Sequence, residues 1–194
     1  MGMTVSISLV PDRRMDMGTL TVTSFITLDN VVEDPQLWSF DFQSDDTGQW
    51  NAAVLDTADA MLLGRVTYEG FAEAWPQRSG DPFSDKFNAM PKHVPTTSLD
   101  TLAWNNSHVV SGDVAEEVRK LKADANVLVW GSPTLVGFLA QHALVDEYAL
   151  LVSPIVRREG KKLFDGFAEP AKLEVTEATR LSGGMLALRL VAAA

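Results

Sequence analysis

The segment NVLVWG, residues 126–131, constrains the chain more than any other. Val127, Leu128, Val129 and Trp130 are apolar at consecutive positions, so a strand here has no polar face and needs cover on both sides. Such a strand belongs inside a parallel sheet flanked by helices. The residues that follow agree. In SPTLVGFLAQHAL, Ser132 opens a helix and Pro133 occupies its first turn, where a missing N–H costs little.

The same succession recurs along the chain. TLTVTSFIT (19–27) is rich in β-branched residues and runs into the turn formers of LDNVVEDP. DTGQWNAAVLDTA (46–58) reads as a helix capped by Asp46 or Thr47, with Trp50, Val54 and Leu55 as its apolar stripe. A strand over Ala60–Leu63 precedes a helix from Val66 to Ala74, which Trp75–Pro76 stops. Residues 76–91 read as a loop with one or two helical turns near Phe83–Ala89, before short strands in KHVPTTS and SHVVSG. DVAEEVRKLKA (113–123) is an amphipathic helix capped by Asp113, with Val114, Val118 and Leu121 on one face. VDEYALLVSPIV (145–156) reads as one long strand, and KLEVTEATRL and MLALRLVA form a hairpin about Ser182–Gly183–Gly184.

The pattern predicts an α/β fold of three layers, α/β/α, its central sheet mostly parallel with antiparallel C-terminal strands. Residues 19–194 form a single domain, and 1–18 read as an N-terminal arm whose apolar piece Val5–Val10 lacks the basic segment of a signal peptide.

Composition excludes several functions. A net charge of −10 and a pI near 4.7 argue against a nucleic-acid binder, which needs a basic face. No apolar run approaches the roughly 20 residues of a membrane span. The chain has no cysteine, which removes disulfides, thiol nucleophiles and cysteine-ligated zinc and is consistent with a cytoplasmic protein. His93, His108 and His142 lack metal-site spacing, so no metal is expected.

Two strand-to-helix junctions carry the chemical signal. In LLGRVTYEGF, Gly64 permits close backbone approach, the amides of Val66 and Thr67 fall in the first helical turn, and Arg65 adds a forked cation. In VLVWGSPTLVGFL, Gly131 and Ser132 repeat the arrangement, with hydroxyls on Ser132 and Thr134. Each alone is equally a packing glycine beside a helix cap. Two in one sheet suit a ligand with more than one phosphate-bearing region.

Taken in order, SFITLDNVVEDP, LLGRVTYEGFAEAWP, GDVAEEVRKLK, VWGSPTLVGFLAQHALVDEYALLVSPIV and GKKLF (160–164) resemble the dihydrofolate reductase-like superfamily. The likeness is greatest to the C-terminal reductase domain of bifunctional riboflavin-biosynthesis proteins and its stand-alone relatives, and runs from about Thr19 to Val191. The resemblance implies NADPH as cofactor and frequently a homodimer. It implies that Gly64, Arg65 and Thr67 form the cofactor motif, with Arg65 and also Thr97 and Ser98 near the adenosine 2′-phosphate, and that Gly131, Ser132, Thr134 and Leu135 bind pyrophosphate. It places Asp29 beside the nicotinamide as substrate ligand or proton relay, although Asp29–Asn30 is equally a plain turn pair. Trp38, Phe40 and Phe42 match a stretch that lines the substrate pocket in relatives and read equally as core. Arg157–Arg158–Glu159–Gly160 departs from the relatives' glycine-containing turn, and the zinc-dependent deaminase half is excluded.

The expected activity is NADPH-dependent hydride transfer to a small planar heterocycle, pterin-like or ribosylaminopyrimidine-like. The alternative is a non-catalytic protein of the same fold that binds or sequesters a nucleotide or heterocycle. The apolar C-terminal strands point to a homodimer.

Overall fold

The computed structural model describes residues 17–193, so the expected arm lies outside it apart from Met17 and Gly18. Eight strands form one sheet in the order β4-β3-β2-β5-β1-β6-β8-β7. They are β1 (Leu20–Thr27), β2 (Ala60–Leu62), β3 (Lys92–Pro95), β4 (Ser107–Val110), β5 (Val127–Trp130), β6 (Glu147–Ser153), β7 (Leu173–Arg180) and β8 (Leu186–Ala192). Every pairing from β4 to β6 is parallel. Strand β8 runs antiparallel to both β6 and β7. The helices are α1 (Asp45–Asp56), α2 (Arg65–Ala74), α3 (Pro82–Ala89), α4 (Val114–Asp124) and α5 (Pro133–Gln141).

The continuous apolar strand sits where its composition requires. β5 lies between β1 and β2, with Val127, Leu128 and Val129 at most 1% exposed. Val127 and Val129 face a core shared with α4 and α5, through Val118, Val136 and Leu139. Leu128 faces the opposite core, shared with Val54 and Leu55 of α1, Tyr68 of α2 and Phe87 of α3. Helices thus cover both faces, as predicted.

Two expectations change in detail, and a third, the helical turns near Phe83–Ala89, is filled in. Helix α1 begins at Asp45 with Ser44 as N-cap, not Asp46 or Thr47. Asp46 is committed elsewhere, accepting from Ser182 N (2.7 Å) and Ser182 Oγ (3.0 Å) to hold the β7–β8 hairpin tip, while Thr47 is buried. Strand β6 ends at Ser153 rather than residue 156, because Pro154 brings no N–H to the ladder. Helix α3 is a full eight residues, started by Pro82 and capped by Asp81, which accepts from Ser84 N at 3.0 Å.

The sheet's connections create the crevice. Strands β2 and β5 are neighbours, yet α2 packs into one core and α5 into the other. Where adjacent parallel strands send their helices to opposite faces, a cleft opens beyond the strands' carboxyl ends.

Candidate functional site

A cavity of ≈ 1080 Å³ occupies that cleft and is lined by both junctions. Gly64 N donates to Ser132 Oγ at 3.0 Å, and Ser132 Oγ donates to Thr67 Oγ1 at 2.8 Å. The two junctions are therefore one hydrogen-bonded unit. A Cβ on Gly64 would stand 3.0 Å from Ser132 Oγ, so a side chain there would push the junctions apart. Gly131 (φ +60°) and Ser132 (φ 59°, ψ 61°) are successive left-handed residues. For Ser132 that conformation costs on the order of 1 kcal/mol, strain of the kind found where backbone lines a ligand site.

The two helix ends at the crevice differ electrostatically from α3 and α4. Those helices are capped by aspartate, Asp81 accepting from Ser84 N and Asp113 from Glu116 N, and carry acids in their first turns. Helices α2 and α5 have neither a side-chain cap nor an acid in the first turn. Their first intrahelical bonds are Tyr68 N to Gly64 O and Val136 N to Ser132 O, both 2.9 Å, which leaves the preceding amides for water or a ligand. Pro133 has no amide to give. Free amides at the positive end of a helix, with small residues around them, favour an anion.

Charge at the rim is already partnered. Arg65 Nη1 lies 2.8 Å from Glu69 Oε2, with both side chains 45% exposed. Lys161 Nζ lies 3.9 Å from Glu33. The Arg78 guanidinium stands 4.6 Å above the Trp75 ring.

The opposite part of the cavity is aromatic. Phe71 of α2, Trp75 at its C-cap, Phe83 and Phe87 of α3, Phe25 of β1 and Trp130 of β5 line it. Phe87 is its centre, 4.5 Å from Trp75 and 5.5 Å from Trp130 between ring centroids. Asn51 of α1, Gln43 and Ser24 supply polar groups to the same lining.

The cavity lining brings together Gly64, Arg65, Thr67, Gly131, Ser132, Thr134, Leu135 and Phe40. The other expected site residues lie outside it. Asp29 accepts from Thr27 Oγ1 (2.7 Å), Arg157 N (3.0 Å) and Arg158 N (2.6 Å), so its carboxylate ties the β1 turn to the loop after β6. These bonds, the one from Thr27 first, pull its pKa down to about 2. Trp38 is buried and donates through Nε1 to Glu33 O at 2.9 Å, bracing the loop from inside. Phe42 packs on a small core of Leu151, Leu181 and Met185. Thr97 and Ser98 are exposed beyond β3, and Ser98 N donates to Thr96 Oγ1 at 3.2 Å; Pro95 is the lining residue from that strand.

Sequence reasoning missed the aromatic wall and the polar lining groups Ser24, Gln43 and Asn51. The wall had a signal, since Phe71 and Trp75, and again Phe83 and Phe87, are spaced i, i+4 on consecutive helices. Asn51 had none, being one polar residue on a helix. Among the described residues there is no cluster of three or more metal-ligating side chains and no helix long and apolar enough to cross a membrane.

Known proteins share this architecture. Residues 18–187 match the model of the RibD C-terminal domain. The uncharacterized protein YyaP of Bacillus subtilis is 26% identical over 139 residues, 68% of this chain and 73% of its own. The crystal structure of a putative riboflavin biosynthesis protein from Shewanella sp. PV-4 superposes with a TM-score of 0.74 at 17% identity, over 91% of this chain and 99% of that one. Dihydrofolate reductase from Enterococcus faecalis, in complex with NADP(H) and RAB-propyl, superposes with a TM-score of 0.60 at 14% identity, over 90% and 94% of the two chains. With strands β1 to β7 and both junctions inside the matched segment, this chain belongs to the RibD C-terminal domain family.

Proposed function

We propose that the protein is an NADPH-dependent reductase of a small planar heterocycle. One observation carries the reading: two uncapped helix N-termini, joined through Gly64, Ser132 and Thr67, open into one cavity whose other wall is aromatic. The first-turn amides of α2 and α5, with the Thr67 and Thr134 hydroxyls, would hold the pyrophosphate. Gly64 and Gly131 keep the backbone accessible to it, and Leu135 supplies an apolar contact. Arg65 would meet the adenosine 2′-phosphate, and Phe40 would cover the substrate side. Bound there, the nicotinamide would supply a hydride; the chain's part is to orient the rings and shed water from an aromatic lobe. Asp29, ionised at any physiological pH, leaves the accompanying proton to water.

The commitment of Asp29 also favours the second reading, a heterocycle-binding protein without turnover. NADPH consumption on adding a reducible pterin or pyrimidine separates the two.

The cofactor half is tested by titrating NADPH and NADH against tryptophan fluorescence, Trp75 and Trp130 being cavity residues. Arg65→Ala is expected to weaken NADPH by about 1–3 kcal/mol while leaving NADH nearly unchanged. Glu69→Gln frees Arg65 from its partner and is expected to tighten NADPH by about two- to threefold, the scale of an exposed intrahelical pair. Equal losses for both nucleotides in Arg65→Ala would remove Arg65 from the 2′-phosphate.

A homodimer belongs to the same reading. Strand β7 is exposed along nearly its whole length, with Val175 open on it and Leu186 open on the neighbouring β8. Sedimentation equilibrium is expected to give twice the chain mass, and a monomer at micromolar concentration contradicts this.

A further inference from the structure

We infer that His93 and His108 form a two-imidazole site for a borderline divalent transition metal, Zn²⁺ or Ni²⁺, at the β3–β4 edge of the sheet. Neither histidine lines the cavity, so the site is independent of the reductase reading.

Two of the chain's three histidines are neighbours in space. Strands β3 and β4 run parallel, and their register sets His93 directly beside His108. On its other side His93 is in register with Leu62 of β2, which belongs to the core shared with α4 and α5. Register partners share a face, so both imidazoles lie on that side of the sheet. Their ring centres are 5.6 Å apart, with the planes inclined at 34°. An ion about 2.0–2.1 Å from one nitrogen of each ring stands about 3.2 Å from each ring centre, and so bridges centres up to about 6.4 Å apart. The observed spacing lies within that reach. His108 is exposed and β4 is the edge strand, so its ring can turn about the broad χ2 torsion of histidine to present a nitrogen toward His93.

Both rings are uncommitted. Neither makes a hydrogen bond or an ion pair among the described residues. His142, by contrast, places Nδ1 2.8 Å from Phe138 O. No carboxylate or third histidine joins the pair among the described residues, so water would complete the coordination sphere. Neutral imidazole nitrogens suit zinc and nickel, whereas magnesium and calcium need oxygen ligands. The chain has no cysteine thiolate to draw those metals elsewhere. A bound ion would staple the edge strand β4 to β3, and an ion held by the folded chain stabilises it. The pair is hidden in the sequence because its members sit on separate strands, far from the i, i+4 spacing of a chelating helix.

The test titrates the full chain at neutral pH with zinc chloride, nickel chloride and magnesium chloride by calorimetry. Zinc and nickel are each expected to bind at one ion per chain, at least about tenfold more tightly than magnesium, and zinc to raise the melting temperature. His93→Gln and His108→Gln are each expected to weaken zinc by about tenfold or more, because losing an outer-shell partner alone costs that much. His142→Gln is expected to leave zinc binding unchanged. Imidazole nitrogen NMR reads the wild type directly, so a poorly folded variant does not obscure the answer. Zinc is expected to move the His93 and His108 resonances and not those of His142. Magnesium binding as tightly as zinc, zinc affinity unchanged in both pair variants, or unmoved His93 and His108 resonances in excess zinc would each overturn the inference.

Discussion

Phe87→Ala is expected to destabilise the protein by about 3–5 kcal/mol, the range for deleting a buried aromatic side chain. Phe87 is fully buried yet touches the cavity, so it serves both the core and the site. Its ring centroid lies 5.6 Å from Phe71, 5.7 Å from Phe83, 5.6 Å from Trp104, 4.5 Å from Trp75 and 5.5 Å from Trp130. Removing it leaves five aromatic rings without their common partner and extends the existing cavity inward. Partial collapse of α2 onto α3 would recover some of the loss, at the cost of the lobe's shape. Urea unfolding measures the stability, and ring binding measures the shape. Phe40→Ala provides the contrast: Phe40 lines the same cavity but is 64% exposed, so its removal is expected to cost under about 0.5 kcal/mol. A loss below about 1 kcal/mol for Phe87→Ala would mean that the aromatic cluster does not organise this side of the sheet.

That cluster also marks where the sequence stopped being informative. The alternation of strands and helices was legible because burial on two faces leaves an unmistakable mark in Val127–Trp130, and because Asp113 and Pro133 announce helix starts. Local signals failed where a distant partner outbid them. Asp46 looked like a cap, but Ser182, 136 residues away, takes its carboxylate. The half of the cavity built from the two junctions was legible for a related reason: each junction is contiguous in sequence, so glycine, hydroxyl and helix start appear side by side. The hydrogen bonds joining the junctions were not, since Gly64 and Ser132 are 68 residues apart. The aromatic half is assembled from one or two residues on each of β1, β5, α1, α2 and α3. An aromatic residue on any one of these reads as core, and only the fold reveals which of them share a wall. Asp29, which its sequence offers equally as a turn residue and as a proton relay, accepts from the backbone amides of Arg157 and Arg158, more than 120 residues away and invisible in its own turn.

Lys92 tests the same wall through pH. It is fully buried, its Nζ donating to Asn88 O (2.5 Å) and Asn105 O (3.1 Å) and lying 4.1 Å from the Trp104 ring. Asn88 in turn donates to Trp75 O (3.1 Å) and Arg78 O (2.9 Å), so the lysine anchors the turn that carries two cavity residues. Burial without a carboxylate partner brings its pKa down to about 8, from 10.5. Between those values the unfolded chain holds the proton and the folded chain does not, so stability rises with pH across that window. The span corresponds to at most about 3 kcal/mol, absent below pH 8 and complete above 10.5. Tyr148 acts in the opposite sense. Burial raises its pKa to about 12 from 10.0, so above pH 10 the unfolded chain ionises first and stability falls. Wild-type stability is therefore expected to climb from pH 8 and turn over above pH 10. Lys92→Met removes the charge but strands two carbonyls, which cost about 1–3 kcal/mol together. At pH 7.5 the two effects nearly cancel. By pH 10 the wild type is expected to exceed the variant by about 2–3 kcal/mol, read as the difference between their urea unfolding curves. A difference that stays constant from pH 7.5 to 10 would show that Lys92 keeps its proton inside the fold, held by the carbonyls and the Trp104 ring.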